Sequence, residues 1–289
     1  MRTPLASQSV ALAFRDACLA ELDALKPGNV HRFGDDGDAP MRVTDFEASA
    51  RAAAPAIGMP MISVGVRIRL AVEATIGVVG QNTNLGIILL AAPLAQAALN
   101  PDEGDLRKRL GRVLSGLSVE DAREAYAAIL HAKPGGLGEA PEHDVRAEPS
   151  VTLLETMRAA EARDRIAWNY THDFADIFEL GLPRVAAGQA CWASLPYAAT
   201  HVYLGFLAAH PDTLIARKFG DARAEEVRRE AAVLDAELAE SPDPEAMKPK
   251  LLAFDRALKF RGLNPGTSAD LTVATLFAGA LQASEAGTI

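Results

Sequence analysis

The sequence predicts an all-α protein, a single compact domain of about ten helices spanning residues 1–289. Three observations carry that prediction. Alanine, the strongest helix former, is abundant, while aromatic residues make up only 6%. Apolar residues recur at helical spacing along most of the chain. No stretch keeps the two-residue alternation of a half-buried strand, and no Asn-Gly hairpin turn occurs.

Each helix has its own reason. Residues 5–25 place Leu5, Leu12, Leu19 and Leu22 on one face. Residues 45–57 and 62–79 give two more helices. Residues 83–99 open with Thr83 or Asn84, both good N-caps. Ser118 to Asp121 approximates a capping box and starts a helix that runs to about His131. Residues 151–170 read as one long amphipathic helix, with Leu154, Met157, Ala160 and Ile166 on one face. Residues 185–209 are apolar almost all round, the pattern of a central buried helix. Residues 221–240 alternate acidic and basic groups, which predicts a solvated outer helix. Residues 245–261 and 268–283 complete the set. The long irregular segment 132–149 is rich in glycine and proline, the composition of a functional or mobile loop.

A formal net charge of −9 repels nucleic acid, and no run of five basic residues occurs, so no nucleic-acid partner is expected. A phosphorylated small molecule is compatible with that charge if the positive groups are local: helix N-termini, a few Lys or Arg, or a metal ion. Cys18 and Cys191 read as two buried free thiols, without a disulfide or zinc pattern. The first ten residues lack the apolar core of a signal peptide. The most apolar stretch, 85–99, contains Pro93 and Gln96 and is too short for a bilayer. These features predict a cytoplasmic protein with no membrane partner; a homo-oligomer is left open.

Four segments put glycine, proline and polar side chains at helix boundaries. They are Lys26-Pro-Gly-Asn-Val-His31-Arg32 followed by Asp35, Asp36 and Asp38; Gly80-Gln-Asn82-Thr83-Asn84-Leu-Gly86; the 132–149 loop with Lys133, His143, Asp144 and Arg146; and Asn264-Pro-Gly266-Thr-Ser268-Ala-Asp270. The second and fourth precede apolar helices, whose free N–H groups bind anions. Simple capping is the plainer reading of each. Asp35, Asp36 and Asp38 have the composition of a Mg²⁺ site bridging phosphates or, equally, of a solvated loop. For Glu21 and Lys26 the plainer reading is a surface ion pair, and for His31 a structural role. Glu161, Asp164, Asn169, Asp173 and Asp176 share helix faces in pairs and, with Arg163 and Arg165 between them, read as an exposed charged face.

The first, second and fourth segments resemble, in residues, order and spacing, the three signature regions of the triphosphoribosyl-dephospho-CoA synthase family. The last, followed by LTVATLFAGAL, is the most specific. The resemblance implies an all-α enzyme that moves the triphosphoribosyl group of ATP to the ribose 2′-hydroxyl of 3′-dephospho-CoA and releases adenine. The chain departs from the family pattern in two places. Asn84 and Leu85 stand where the family usually has His and Lys, and His31 stands where it usually has Asp. His131 to Gly138 is similar to a subgroup found in archaea and some methylotrophic bacteria.

Displacement at ribose C1 passes through an oxocarbenium-like centre and needs a carboxylate, help for the leaving base and a cation on the triphosphate. The expected carboxylate is Asp270 or Glu21, with His31 as proton donor. Lys26, Asn82, Thr83, Asn84, Asn264, Gly266 and Ser268 are the expected phosphate or substrate contacts, and Asp35 and Asp36 the Mg²⁺ ligands. The expected partners are ATP and dephospho-CoA or another carrier precursor. Rival readings keep the ribose chemistry but change the acceptor, for example to a methanopterin-type one-carbon carrier, or replace transfer by ribosyl hydrolysis. An isoprenoid-synthase reading of the Asp-rich stretch is opposed by Gly34, Gly37 and Pro40, which make it a loop. A non-catalytic nucleotide-binding helical protein is the rival of another class.

Overall fold

The structure, a computed structural model, describes residues 5–34, 41–100, 102–138, 140 and 142–287. Among them it has fourteen α-helices and no strand. The first seven are α1 (Ser7–Leu22), α2 (Val43–Ile57), α3 (Val64–Val79), α4 (Leu85–Leu99), α5 (Leu106–Ser115), α6 (Val119–Ala132) and α7 (Leu153–Ala160). The others are α8 (Arg165–Thr171), α9 (Leu182–Trp192), α10 (Leu195–Ala209), α11 (Thr213–Phe219), α12 (Asp221–Glu240), α13 (Lys248–Phe260) and α14 (Gly266–Glu285). A π-helical turn, Asp176–Gly181, leads into α9, and a 3₁₀ turn, Pro244–Met247, leads into α13. No described helix is long and apolar enough to cross a membrane. The chain divides into two compact units: Met1–Cys18 with Thr44–Phe174 and Phe277–Ile289, and Leu19–Val43 with Ala175–Leu276.

In the first unit, α4 is buried on nearly every side, as its apolar sequence requires. Pro93 within it has no N–H, so the carbonyl of Leu89 loses its helical donor. The buried Tyr170 hydroxyl donates to that carbonyl at 2.6 Å instead. Buried Arg67 donates to the carbonyl of Ile57 at 2.5 Å, which α2 leaves unpaired at its C-terminus, and to that of Met59, just beyond the helix, at 2.8 Å. Burial lowers its guanidinium pKa to about 10, so it stays charged at neutral pH. Arg109 serves α4 in the same way, through the carbonyl of Ala97 at 2.8 Å, and pairs with Glu285. The capping box at Ser118 forms as predicted, and Asp121 also accepts the N–H of Gly65 at 2.8 Å. A Cβ on Gly65 would stand 2.5 Å from the Asp121 Cα, so α3 meets α6 there only because residue 65 is glycine.

Several sequence expectations are corrected. The buried side of α1 is Val10, Phe14, Ala17, Cys18 and Leu22, while Leu12 is exposed; the real stripe follows three-and-four spacing rather than steps of seven. Residues 151–170 are two helices, because Asp164 accepts from Ile166 N and Ala167 N and so starts α8. Helix α5 and helix α11 were not predicted. The acidic set is only partly an exposed face, since Asn169 and Asp176 are buried. Cys191 is exposed rather than buried.

In the second unit, Tyr203, Leu204, Leu207, Val227, Leu251 and Leu258 build the core. The predicted single helix 185–209 is two. The chain turns through Ala193 in the left-handed region and Ser194 caps α10, with Pro196 in its first turn, where a missing N–H costs nothing. Helix α10 is the buried one, and α9 buries only Gly188. Helix α12 is solvated on one face only, because Ala224, Val227, Ala231 and Leu238 are buried.

Candidate active site

The end of α1 passes into a turn whose residues 24–29 are all buried. A buried loop needs partners for its backbone groups. Thr200 Oγ1 accepts the N–H of Leu25 at 3.1 Å, and the Tyr203 hydroxyl donates to the carbonyl of Pro27 at 2.6 Å. Gly28 has φ +82°, and a Cβ there would lie 2.8 Å from the Leu263 carbonyl oxygen and 2.9 Å from Pro265. Glycine is thus required both by conformation and by space. The Asn29 amide donates to Asn264 Oδ1 at 2.7 Å. The Lys-Pro-Gly-Asn and Asn-Pro-Gly segments therefore form one structure.

Lys26 is fully buried at the centre of this turn. Its amine pairs with Glu21 and donates to the Val30 carbonyl at 2.6 Å and to Asn29 Oδ1 at 3.3 Å. Burial pushes the Lys26 amine down in pKa, against the opposing pull of Glu21 and the charge of Asp270. Burial likewise pushes the Glu21 carboxyl up, against the pull of Lys26. The surface ion pair weighed for these residues is thus a buried pair. Asp270, in the second turn of α14, is half-buried and close enough for its charge to act on Lys26.

His31 is buried, and its Nδ1 accepts the N–H of Phe33 at 3.1 Å. That leaves the proton of the neutral ring on Nε2, which lies 3.2 Å from Asp255 Oδ1. Nε2 is buried and, despite that approach, makes no well-aligned hydrogen bond among the described residues. Burial pushes the His31 pKa down, against the pull of Asp255. Asp255 also accepts the N–H of Gly28 at 2.9 Å and pairs with Lys259 Nζ at 3.0 Å. Burial would raise the Asp255 pKa, but His31 and the Gly28 N–H hold it below the usual value.

At the start of α14, Ser268 donates both its N–H and its hydroxyl to buried Asp212, at 2.8 and 2.9 Å. Asp212 also accepts from Leu214 N and Ile215 N and so starts α11. The helix N-terminus expected to hold a phosphate already holds a carboxylate. Gly266 lies against Leu214, whose Cδ2 would be 2.5 Å from a Cβ.

The second signature region belongs to the first unit. Asn84 stands at the N-cap of α4 but makes no capping bond. Asn82 Oδ1 accepts the Leu85 N–H at 3.1 Å in its place. Thr83 Oγ1 is 2.5 Å from the hydroxyl of buried Ser49. The Asn84 amide nitrogen is buried and has no hydrogen-bond partner among the described residues.

Asp35 and Asp36 lie outside the described residues. Among the described residues no group of three metal-ligating side chains occurs. The groups that sequence reasoning missed are Asp255, Asp212, Tyr203 and Lys259. Each sits in or beside an ordinary helix, and no local motif marks it.

A family model described as ATP:dephospho-CoA triphosphoribosyl transferase matches residues 7–288. No curated protein matches the chain. Among solved structures, the crystal structure of an Archaeoglobus fulgidus protein, provisionally described as a triphosphoribosyl-dephospho-CoA synthase, is similar with a TM-score of 0.62 at 22% identity. The match covers 81% of this chain and 98% of that one, and shows a shared fold. With the family match running through all three signature regions, this chain belongs to the ATP:dephospho-CoA triphosphoribosyl transferase family.

Proposed function

We propose that the ribosyl-transfer chemistry of this family is carried here by the second unit, with Asp270 as the carboxylate that meets the acceptor hydroxyl. The family reaction moves the triphosphoribosyl group of ATP to dephospho-CoA. The bond from C1′ to the adenine nitrogen breaks, a bond from C1′ to the acceptor oxygen forms, and the hydroxyl proton passes through the carboxylate to leave with adenine. The observation that carries the reading is the relation of two carboxylates to one buried lysine. Glu21 is closed round Lys26, whereas Asp270 is only half-buried and acts on Lys26 through its charge. The Lys26 charge, held in place by Glu21, then acts on Asp270. His31, whose ring is buried and whose Nδ1 is taken by the Phe33 N–H, holds the turn rather than donating to adenine. Asn264 holds Asn29, and Ser268 fixes the start of α14 through Asp212.

Mg²⁺ enters with the triphosphate as part of the donor, and Asp35 and Asp36 are its proposed carboxylate ligands. Asn82, Thr83 and Asn84 remain proposed phosphate contacts, as neutral donors. The buried Asn84 amide nitrogen, without a hydrogen-bond partner among the described residues, supports this.

Asp270→Asn, which keeps shape and removes the base, is expected to lose at least about a hundredfold in kcat with an unchanged unfolding midpoint. Full turnover in that variant contradicts the assignment. A second reading, transfer to another carrier precursor, is favoured by Asn84 and Leu85 in place of the family's His and Lys. The mass of the product formed with each acceptor separates the two.

A further inference from the structure

Of the basic side chains in the first signature region, Lys26 and His31 are turned inward, while Arg32 is exposed and pairs with Asp23 at 2.6 Å. Lys26 has three N–H groups, and Glu21, the Val30 carbonyl and Asn29 Oδ1 take all three. The ring nitrogens of His31 face the Phe33 N–H and Asp255. The N-terminus of α14 holds the Asp212 carboxylate. A polyphosphate approaching a protein of net charge −9 still requires a local positive group.

Lys259, in the last turn of α13, has the placement that the buried groups lack. Its side chain is 40% exposed, whereas its partner Asp255 is only 5% exposed. The Asp255 carboxylate is divided: Oδ1 takes the Gly28 N–H and faces His31, and Oδ2 takes Lys259 Nζ at 3.0 Å. The amine is thereby tied to the Lys-Pro-Gly turn. A Cβ on Gly34 would lie 3.0 Å from it, so the amine tip rests on the backbone that follows His31. Its charge is felt at both Lys26 and His31.

We propose that Lys259, held by Asp255, is a substrate-binding cation that contacts a polyphosphate group beside the Lys-Pro-Gly turn. The inference rests on the proposed location of the chemistry in this unit and adds a residue outside the three signature regions. ATP and dephospho-CoA both carry linked phosphates, and the kinetics distinguish them.

The test varies ATP at saturating dephospho-CoA, and then the reverse, in the wild type, Lys259→Gln, Lys259→Arg and Lys250→Gln. Lys250 pairs with Glu237 on the exposed surface and controls for loss of a positive charge. Lys259→Gln is expected to raise KM for one of the two substrates about tenfold, with kcat changed far less. Lys259→Arg is expected to recover most of the loss, and Lys250→Gln to match the wild type. Calorimetric binding of inorganic tripolyphosphate supplies a readout independent of turnover, with weakened binding expected in Lys259→Gln alone. If the wild type is inactive but the tripolyphosphate difference holds, the catalytic reading fails and the binding residue stands. Unchanged KM values and unchanged tripolyphosphate binding in Lys259→Gln overturn the proposal, as does an equal loss in Lys250→Gln.

Discussion

The Asn29 amide donates to Asn264 Oδ1 at 2.7 Å, across 235 positions of sequence. This bond joins two signature regions into one buried turn, with Gly28 packed on Leu263 and Pro265 beside it. Asn29→Ala and Asn264→Ala should each destabilise the fold by about 1–3 kcal/mol. A double-mutant cycle read by urea unfolding should show a coupling of about 1 kcal/mol, and strict additivity contradicts the pairing.

Glu21 and Lys26 form a buried pair, and such pairs are costly to break singly. Glu21→Gln leaves the Lys26 amine without its carboxylate and should destabilise by about 3–5 kcal/mol. Joint replacement, Glu21→Leu with Lys26→Met, should restore much of the stability while turnover stays lost. A single Glu21→Gln with an unfolding midpoint like the wild type rules out the burial seen at this pair.

Two histidines, His31 and His201, have pKa values pushed below 6.5, in each case first by burial. The folded state thus binds fewer protons at these sites than the unfolded state does. Their stabilisation is complete above pH 6.5 and is lost as pH falls through the folded-state pKa. The urea midpoint should decline as pH falls below 6.5, and decline less in His31→Asn and in His201→Phe. The same slope in both variants and the wild type disproves the linkage.

Tyr170 answers for a proline 77 positions before it in the chain: its hydroxyl satisfies the Leu89 carbonyl that Pro93 leaves without a donor. Tyr170→Phe removes that donor and should cost about 1–3 kcal/mol. Adding Pro93→Ala should recover part of the loss by restoring the helical N–H. Calorimetric unfolding of the single and double variants measures this, and no recovery contradicts it.

The helical class was legible because periodicity and alanine content are local properties. The breaks were harder to read. The apolar spacing of α7 runs on into α8, so only the cap at Asp164 betrays the join. The break between α9 and α10 was marked by Pro196, but the surrounding apolar run hid it. Within the site, Lys26, Gly28 and Asn264 stood out because glycine, proline and polar groups are unusual beside buried helices. Asp255 and Asp212 look in sequence like any helix-face or capping carboxylate. Their importance comes from donors 227 and 56 positions away, at Gly28 and Ser268, which no local pattern encodes.

The most direct measurement of the central claim is chromatographic detection of adenine released from ATP and Mg²⁺, with and without 3′-dephospho-CoA, in the wild type and Asp270→Asn. Adenine release that depends on dephospho-CoA and disappears in Asp270→Asn is the predicted result. Release in Asp270→Asn at the wild-type rate, or no release by the wild type with dephospho-CoA present, contradicts the account.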